Sequence, residues 1–202
     1  MLIRSSPNLE ELHILGGPLI ADGKVHPLCS ARWPLLHSLS LGDIILDWSG
    51  SLPEGSKRPF ITFLEAHQRL QSLRTSRTAL SPHLLPSLDP SALSHLTHFA
   101  GSLEHLQALA SSDPKITHLA IEEPLIIRDF APLLITGVLQ SLRYLTELRV
   151  AFVFHSYHES GSLIRSLTNA CPGVTTLEIT CAKRPSLRVV SSSFLLILLQ
   201  GL

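Results

Sequence analysis

Histidines are the residues of this chain that, by their type and spacing, could bind a metal ion. His98 and His118 hold equivalent positions in neighbouring segments, which would set them about 5 Å apart if both segments form adjacent strands. His155 and His158 stand three residues apart, directly before Glu159. A zinc site needs four ligands with supporting hydrogen bonds, and neither group has the cysteines or paired carboxylates to complete the set. The sequence therefore predicts no metal site.

A second stretch, Gly50-x4-Gly55-Ser56-Lys57, comes close to the pattern of a phosphate-binding loop. That pattern requires the lysine directly after the second glycine, where it reaches the β- and γ-phosphates, and Ser56 occupies this place. The chain has no Gly-x-Ser-x-Gly nucleophile motif either. We therefore expect no catalytic residue, no bound cofactor and no enzymatic activity.

The three cysteines, Cys29, Cys171 and Cys181, are few, odd in number and not arranged as Cys-x-x-Cys. Together with the lack of a visible signal peptide, they favour a reducing intracellular location, either cytoplasmic or nuclear. Cys171 falls at the end of a predicted helix and Cys181 at the end of a predicted strand. We interpret them as buried structural thiols.

The composition indicates a folded protein with a large aliphatic core. Of 202 residues, 45% are hydrophobic, only 16% are charged and 5% are aromatic. Sixteen basic and sixteen acidic residues cancel, so the chain lacks the positive field that nucleic acids and anionic membranes attract. The apolar run over residues 194–199 is far shorter than the roughly 20 residues that a membrane helix needs. We expect neither a nucleic acid nor a membrane as partner.

The elements that would position any functional residue come from a recurring aliphatic pattern. Its first position recurs at intervals of roughly 20 to 34 residues, close to the period of leucine-rich repeats. The first positions are Leu9, Leu36, Leu70, Leu96, Ile116, Leu145 and Val174. Prolines that precede several copies end the connector and turn the chain into the next strand.

The second and third positions of each copy lie two residues apart, so in a strand both side chains point to one face. The pairs are Leu12/Ile14, Leu39/Leu41, Leu73/Thr75, Phe99/Gly101, Leu119/Ile121, Leu148/Val150 and Leu177/Ile179. Strands this short need neighbours, and parallel stacking gives them one shared interior. The sequence predicts an α/β leucine-rich-repeat solenoid of about seven degenerate repeats, with a curved parallel sheet on one face and helices and irregular connectors on the other.

Connectors between the strands carry apolar residues at helical spacing. The predicted helices span residues 59–70, 102–111, 129–142 and 161–170. The three prolines within residues 81–92 predict a turn-like connector, and residues 49–58 predict an exposed loop insertion. We expect one domain over residues 1–202, incomplete at both ends because no polar capping repeat covers either end.

Short phrases of the repeat resemble a known family. Cys171-Pro172-Gly173-Val174-Thr-Thr-Leu177-Glu-Ile179 resembles the cysteine-containing repeats of F-box proteins, and Ser6-Pro7-Asn8-Leu9-Glu-Glu-Leu12-His-Ile14 is similar with serine in the cysteine place. Residues 63–73 resemble a phrase of the degenerate repeats in fungal F-box-type proteins. The resemblance implies a substrate receptor of a cullin-based ubiquitin ligase, which recruits its adaptor through an F-box. That module is absent from these residues, so a leucine-rich-repeat scaffold outside the ubiquitin system is the alternative.

The residues that alternate with the inward aliphatic positions predict a solvent-facing surface on the strands. Its central positions run His13, Ser40, Arg74, Ala100, Ala120, Arg149 and Glu178, while Arg77 and Glu122 follow just after strands. Opposite charges lie side by side there, which fits a polypeptide partner better than a polyanion. The predicted partner-binding residues are Arg74, Arg77, His98, His118, Glu122, Glu147, Arg149 and Glu178.

Overall fold

A computed structural model describes residues 6–16, 27–44, 46, 56–112, 114–126, 131–153 and 159–181. The chain divides into two compact units, Met1–Pro114 and Lys115–Leu202. In the described residues, seven short strands, four in the first unit and three in the second, alternate with helical connectors.

The first unit consists of four strands with helical segments between or after them. Its strands are β1 (Glu11–Gly16), β2 (Ser38–Asp43), β3 (Ser72–Thr75) and β4 (His98–Gly101). Its α-helices are α1 (Pro59–Ala66) and α2 (Leu103–Ala110), and its 3₁₀ helices are Pro27–Ser30 and Pro82–Ser87. The strands pair in parallel in chain order, β1 to β4.

The inward positions of the first unit form rows across these strands. Leu12 pairs with Leu39, Leu39 with Leu73, and Leu73 with Phe99, which is the predicted register. The members of this row in β2, β3 and β4 are at most 2% exposed. The register holds because a shift by one residue would turn every one of these side chains to the other face.

The second unit repeats the arrangement with three strands and two helices. They are β5 (His118–Ile126), α3 (Ala131–Gln140), β6 (Glu147–Val153), α4 (Glu159–Ala170) and β7 (Thr176–Cys181). The strands pair in parallel in chain order, and Leu119, Leu148 and Leu177 share one buried row. The predicted register is again confirmed.

An irregularity interrupts β5 between Ile121 and Leu125. Ile121 pairs with Val150 and Leu125 with Phe152, so β5 has extra residues at this point. Pro124 lies inside the shift, and a proline has no N–H to donate to a ladder. The strand continues beyond this bulge, so Glu122 lies within β5 and not just after a strand as predicted.

A recurring hydrogen-bond pattern joins successive strands at their starts. In the first unit the carbonyl of Glu10 accepts from the N–H groups of His37 and Ser38, and the carbonyl of His37 accepts from Gln71 and Ser72. In the same way, the carbonyl of Gln71 accepts from the N–H groups of Thr97 and His98. The carbonyl of Thr117 accepts from those of Thr146 and Glu147, and the carbonyl of Thr146 from those of Thr175 and Thr176. The starts of β2, β3, β4, β6 and β7 are therefore each hydrogen-bonded to the preceding strand segment in the same way.

The predicted α/β class is confirmed, while several boundaries shift. Helix α1 ends at Ala66 rather than at residue 70, because the N–H of His67 closes the helix on the carbonyl of Leu64. The proline-rich connector contains the 3₁₀ helix Pro82–Ser87. Most of the predicted loop over residues 49–58 lies outside the described residues. The single domain over residues 1–202 stays a prediction.

The inward row of the second unit gives a direct test of the register. We expect Leu177→Asp to destabilise the protein by about 3–5 kcal/mol, because it replaces a buried leucine with a buried unpaired carboxylate. Thr180→Asp is the matched control, since Thr180 lies on the same strand and is only partly buried. Urea unfolding followed by circular dichroism measures both. Equal stability of the two variants would contradict the register.

Candidate functional site

The outward face of the first unit carries one of the predicted binding residues at its centre. Arg74 is exposed on β3, in register with Ser40 on β2 and Ala100 on β4. The prediction that Ser40 faces solvent is wrong, since only 5% of it is exposed. Ser40 is in register with His13 on one neighbouring strand and with Arg74 on the other, and both of these side chains are longer than that of serine.

Arg77 follows β3 and makes an ion pair with Glu104 in the first turn of α2. The Arg77 Nη2 and Glu104 Oε2 atoms lie 2.5 Å apart, and both side chains are about half exposed. Partial burial acts to raise the pKa of Glu104, but hydrogen bonds from its own N–H and the Ser102 hydroxyl, with the charge of Arg77, hold this pKa below its ordinary value. The pair keeps Arg77 beside α2 rather than beside Arg74.

His98 completes the predicted residues of the first unit. It is exposed at the start of β4, and its Nδ1 lies 2.9 Å from the hydroxyl of Thr97. Its register neighbour is Ser72 on β3.

Two pairs of side chains join neighbouring strands on the outward face of the second unit. His118 Nε2 lies 3.3 Å from Glu147 Oε1, and Arg149 Nε lies 2.6 Å from Glu178 Oε2. Each pair joins residues that are in register on adjacent strands. The Thr117 hydroxyl, 2.8 Å from His118 Nδ1, holds the imidazole from its other side. The predicted side-by-side opposite charges are thus present in this unit, and Glu122 is exposed at the bulge of β5.

Some of the residues considered for other chemistry lie within the described part of the chain and others lie outside it. In the described part of the chain, no three His, Cys, Asp or Glu side chains come together in a way that could hold a metal ion. His155 and His158 lie outside the described residues, as do Gly50 and Gly55. Among the described helices, none has both the length and the apolar character that a membrane crossing requires.

The cysteines that the structure describes are buried thiols. Cys29 and Cys171 are both buried, and neither is part of a disulfide. Burial raises the pKa of the Cys171 thiol to about 11, so the group stays protonated near neutral pH and is a poor nucleophile. The burial of Cys29 and Cys171 agrees with their interpretation as structural thiols. The side chain of Cys181 is not among those that the structure describes.

A small cleft lies beside α2 in the first unit. Its volume is about 170 Å³, and its lining is mainly Leu85, Pro86, Leu88, Pro90, Leu93, Ala108 and Leu109. Asp89 is the ionisable residue of this lining, and hydrogen bonds from the Ser91 hydroxyl and N–H lower its pKa. Apart from Asp89 and two serines, the described lining of this cleft is apolar.

A buried histidine, His67, lies directly after the last residue of α1. Nδ1 lies 2.6 Å from the carbonyl of Phe63 and donates to it, and Nε2 accepts the backbone N–H of Trp33 at 3.0 Å. The ring packs against Phe63 with centroids 4.1 Å apart. Desolvation by burial, helped by the charge of Arg32, lowers the pKa of His67, so the ring is neutral at pH 7.

His105 in α2 makes the same kind of bridge two connectors later, and its sequence context gave no signal for it. Nε2 donates to the carbonyl of Leu80 at 2.6 Å, and Nδ1 accepts the N–H of Ser102 at 3.3 Å. The residue is fully buried, and desolvation lowers its pKa although the Leu80 hydrogen bond and Glu104 act in the other direction. Like His67, it joins its helix to the connector before it.

No protein-family model matches this chain, and no curated protein matches it in sequence. The fold and the surface geometry are therefore the observations on which a function has to be proposed.

The two buried histidines predict a loss of stability at acidic pH. Their folded-state pKa values lie below the ordinary value of 6.5, so the unfolded chain binds more protons as the pH falls through that value. Their contribution is complete above about pH 6.5 and is lost progressively below it, by at most about 1.4 kcal/mol per pH unit for each histidine. Urea unfolding between about pH 7.5 and about pH 5.5 measures this slope.

The double variant His67→Gln/His105→Gln should be less stable at neutral pH and should show a shallower decline between these pH values. His83→Gln is the matched control, because His83 is an exposed histidine of the same unit. It should keep the slope of the original protein. A double variant with an unchanged slope would contradict the assignment.

Proposed function

We propose that this chain is a protein-binding scaffold, a leucine-rich-repeat solenoid whose outward strand face contacts a polypeptide partner. The inward rows in predicted register and the recurring carbonyl pattern at strand starts both support a repeating unit. A repeat unit of this kind cannot bury its aliphatic face alone and needs its neighbours. The strand face that remains outside is then a broad, rigid surface.

The observation that supports binding most strongly is the charged outward face of β5, β6 and β7. Glu147 and Arg149 stand at alternate positions of one strand, with His118 and Glu178 on either side. Rigid short strands hold these charges at fixed spacing, which gives a partner with a complementary pattern a specific register. Because the pairs are partly exposed, they contribute little to folding and remain available for contacts.

We further propose that the chain is the substrate-recognition region of an F-box-like ubiquitin-ligase receptor inside the cell. The support is the resemblance of residues 171–179 and 6–14 to the repeats of that family. A leucine-rich-repeat scaffold outside the ubiquitin system is the second candidate, and it uses the same face without a ligase adaptor.

Exchange of one ion pair tests the face. We expect Arg149→Glu/Glu178→Arg to fold normally, because the pair is kept with its charges exchanged, and to weaken partner binding at least about tenfold. Cross-linking and mass spectrometry with the purified chain identify the partner, and titration calorimetry with that purified partner gives the affinity.

Arg165→Glu is the control, since Arg165 is exposed on α4 and not on a strand. It should leave the affinity unchanged. Equal affinities of the original protein and the pair-exchanged variant would exclude this face as the binding site. Copurification of the full-length gene product with a cullin-ligase adaptor tests the ubiquitin role separately. If the adaptor does not copurify while partner binding still depends on the outward strand face, the second candidate is favoured.

A further inference from the structure

The cleft beside α2 lies in the longest continuous part of the chain that the structure describes, residues 56–112. Its described lining comes from two connectors of the first unit, residues 85–93 and 108–112. Pro86 and Pro90 belong to this lining and are exposed, so the cleft opens to solvent. The cleft is therefore a recess that a ligand could enter.

The buried part of the lining is aliphatic. Leu85, Leu93 and Leu109 are each at most 8% exposed. The volume of the cleft is about 170 Å³. An apolar cavity of roughly 150 Å³ binds benzene, whereas pockets for drug-sized ligands have about 300–1,000 Å³. The recess therefore has room for one ring or one branched alkyl group, and it is too small for a large cofactor.

The polar residues of the lining provide hydrogen-bond acceptors. The hydroxyl of Ser111 donates to the carbonyl of Ala108 at 2.8 Å, and that of Ser112 donates to the carbonyl of Leu109 at 2.7 Å. Both hydroxyl hydrogens are thus used at the end of α2, while the oxygen of each serine can still accept a hydrogen bond. Exposed serines of this kind favour a ligand that donates.

Asp89 supplies the charge of this lining. Its Oδ1 accepts the hydroxyl of Ser91 at 2.7 Å and the N–H of Ser91 at 2.9 Å, and these bonds lower the pKa of the carboxyl group. The group is therefore ionised at neutral pH. The positive charge of Lys57 also acts on it, but Lys57 Nζ lies 2.5 Å from Glu65 Oε1. Since Lys57 and Glu65 cancel, the negative charge of Asp89 remains.

We propose that this cleft binds a small primary amine that carries one apolar group, such as an arylalkylamine. The apolar group fills the recess, and the ammonium lies beside Asp89, Ser111 and Ser112. An ammonium has three N–H donors and no acceptor, which matches a carboxylate and two hydroxyl oxygens. The C-terminal end of α2 carries a partial negative charge and favours a cation as well. The site is formed by connectors and is separate from the outward strand face.

Amide NMR of the isotope-labelled chain tests this proposal with three small molecules that share a phenyl ring. Phenethylamine is a cation at neutral pH, phenethyl alcohol is neutral and hydrocinnamate is an anion. We expect phenethylamine to shift the amide signals of residues 85–93 and 108–112. It should bind at least about threefold more tightly than phenethyl alcohol, and hydrocinnamate should bind most weakly, because only the amine offers a positive charge to the exposed carboxylate.

Asp89→Asn removes the charge but keeps the Oδ1 atom that accepts from Ser91, so the turn is retained. We expect its dissociation constant for phenethylamine to rise at least about threefold, with that for phenethyl alcohol unchanged. Asp43→Asn is the matched control, since Asp43 is an exposed aspartate of the same unit outside this lining. It should bind both molecules like the original protein. Ala108→Phe fills the recess and should abolish both interactions.

The same titrations give the results that would overturn the proposal. An unchanged affinity of Asp89→Asn for phenethylamine would do so, as would equal or tighter binding of phenethyl alcohol or hydrocinnamate to the original protein. Undiminished binding by a folded Ala108→Phe variant would place the site elsewhere. Amide signals of the cleft that do not move at millimolar phenethylamine would also overturn it. The comparison with Asp89→Asn decides the question even if Ala108→Phe does not fold.

Discussion

Burial of aliphatic side chains in rows between short parallel strands is the interaction on which this structure depends. A strand of four to nine residues has too little surface of its own to fold, so each one is stable only against its neighbours. Leu39 and Leu148 show the result, since each packs between equivalents on both sides and is almost fully buried. The carbonyls that accept two N–H groups at each strand start fix the register of these rows.

The two buried histidines enter this aliphatic interior with hydrogen bonds at both ring nitrogens. His67 and His105 are buried, and in each ring one nitrogen donates to a carbonyl while the other accepts a backbone N–H. A neutral imidazole is suited to this task because it provides one donor and one acceptor. Both residues join a helix to the preceding connector, where no strand ladder supplies backbone hydrogen bonds.

The outward face has a different character in the two units. In the first, Arg74 stands among small residues, and Arg77 is held to α2 by Glu104. In the second, cross-strand pairs order the charges of His118, Glu147, Arg149 and Glu178. Such pairs add little stability at an exposed site, but they restrict the side chains, so that a partner would meet a preorganised pattern.

The helical connectors and the inward positions of the strands follow from the sequence alone. Two aliphatic residues spaced two apart can share a face only in a strand, and their recurrence sets Leu12, Leu39 and Leu73 in one row, with Leu119, Leu148 and Leu177 in another. The same alternation predicted which charged residues face outwards, and it placed His118 beside Glu147 and Arg149 beside Glu178. Periodicity carries this information because the side-chain direction in a strand is a local property.

Only the tertiary structure decided the features that depend on residues far apart in sequence. Ser40 is buried although its position alternates with the inward leucines of β2, and Glu122 belongs to β5 because the strand continues beyond a bulge at Pro124. The bridge from His67 to Trp33 spans 34 residues and that from His105 to Leu80 spans 25. A local pattern does not encode these contacts, since each needs the exact approach of two connectors that packing alone determines.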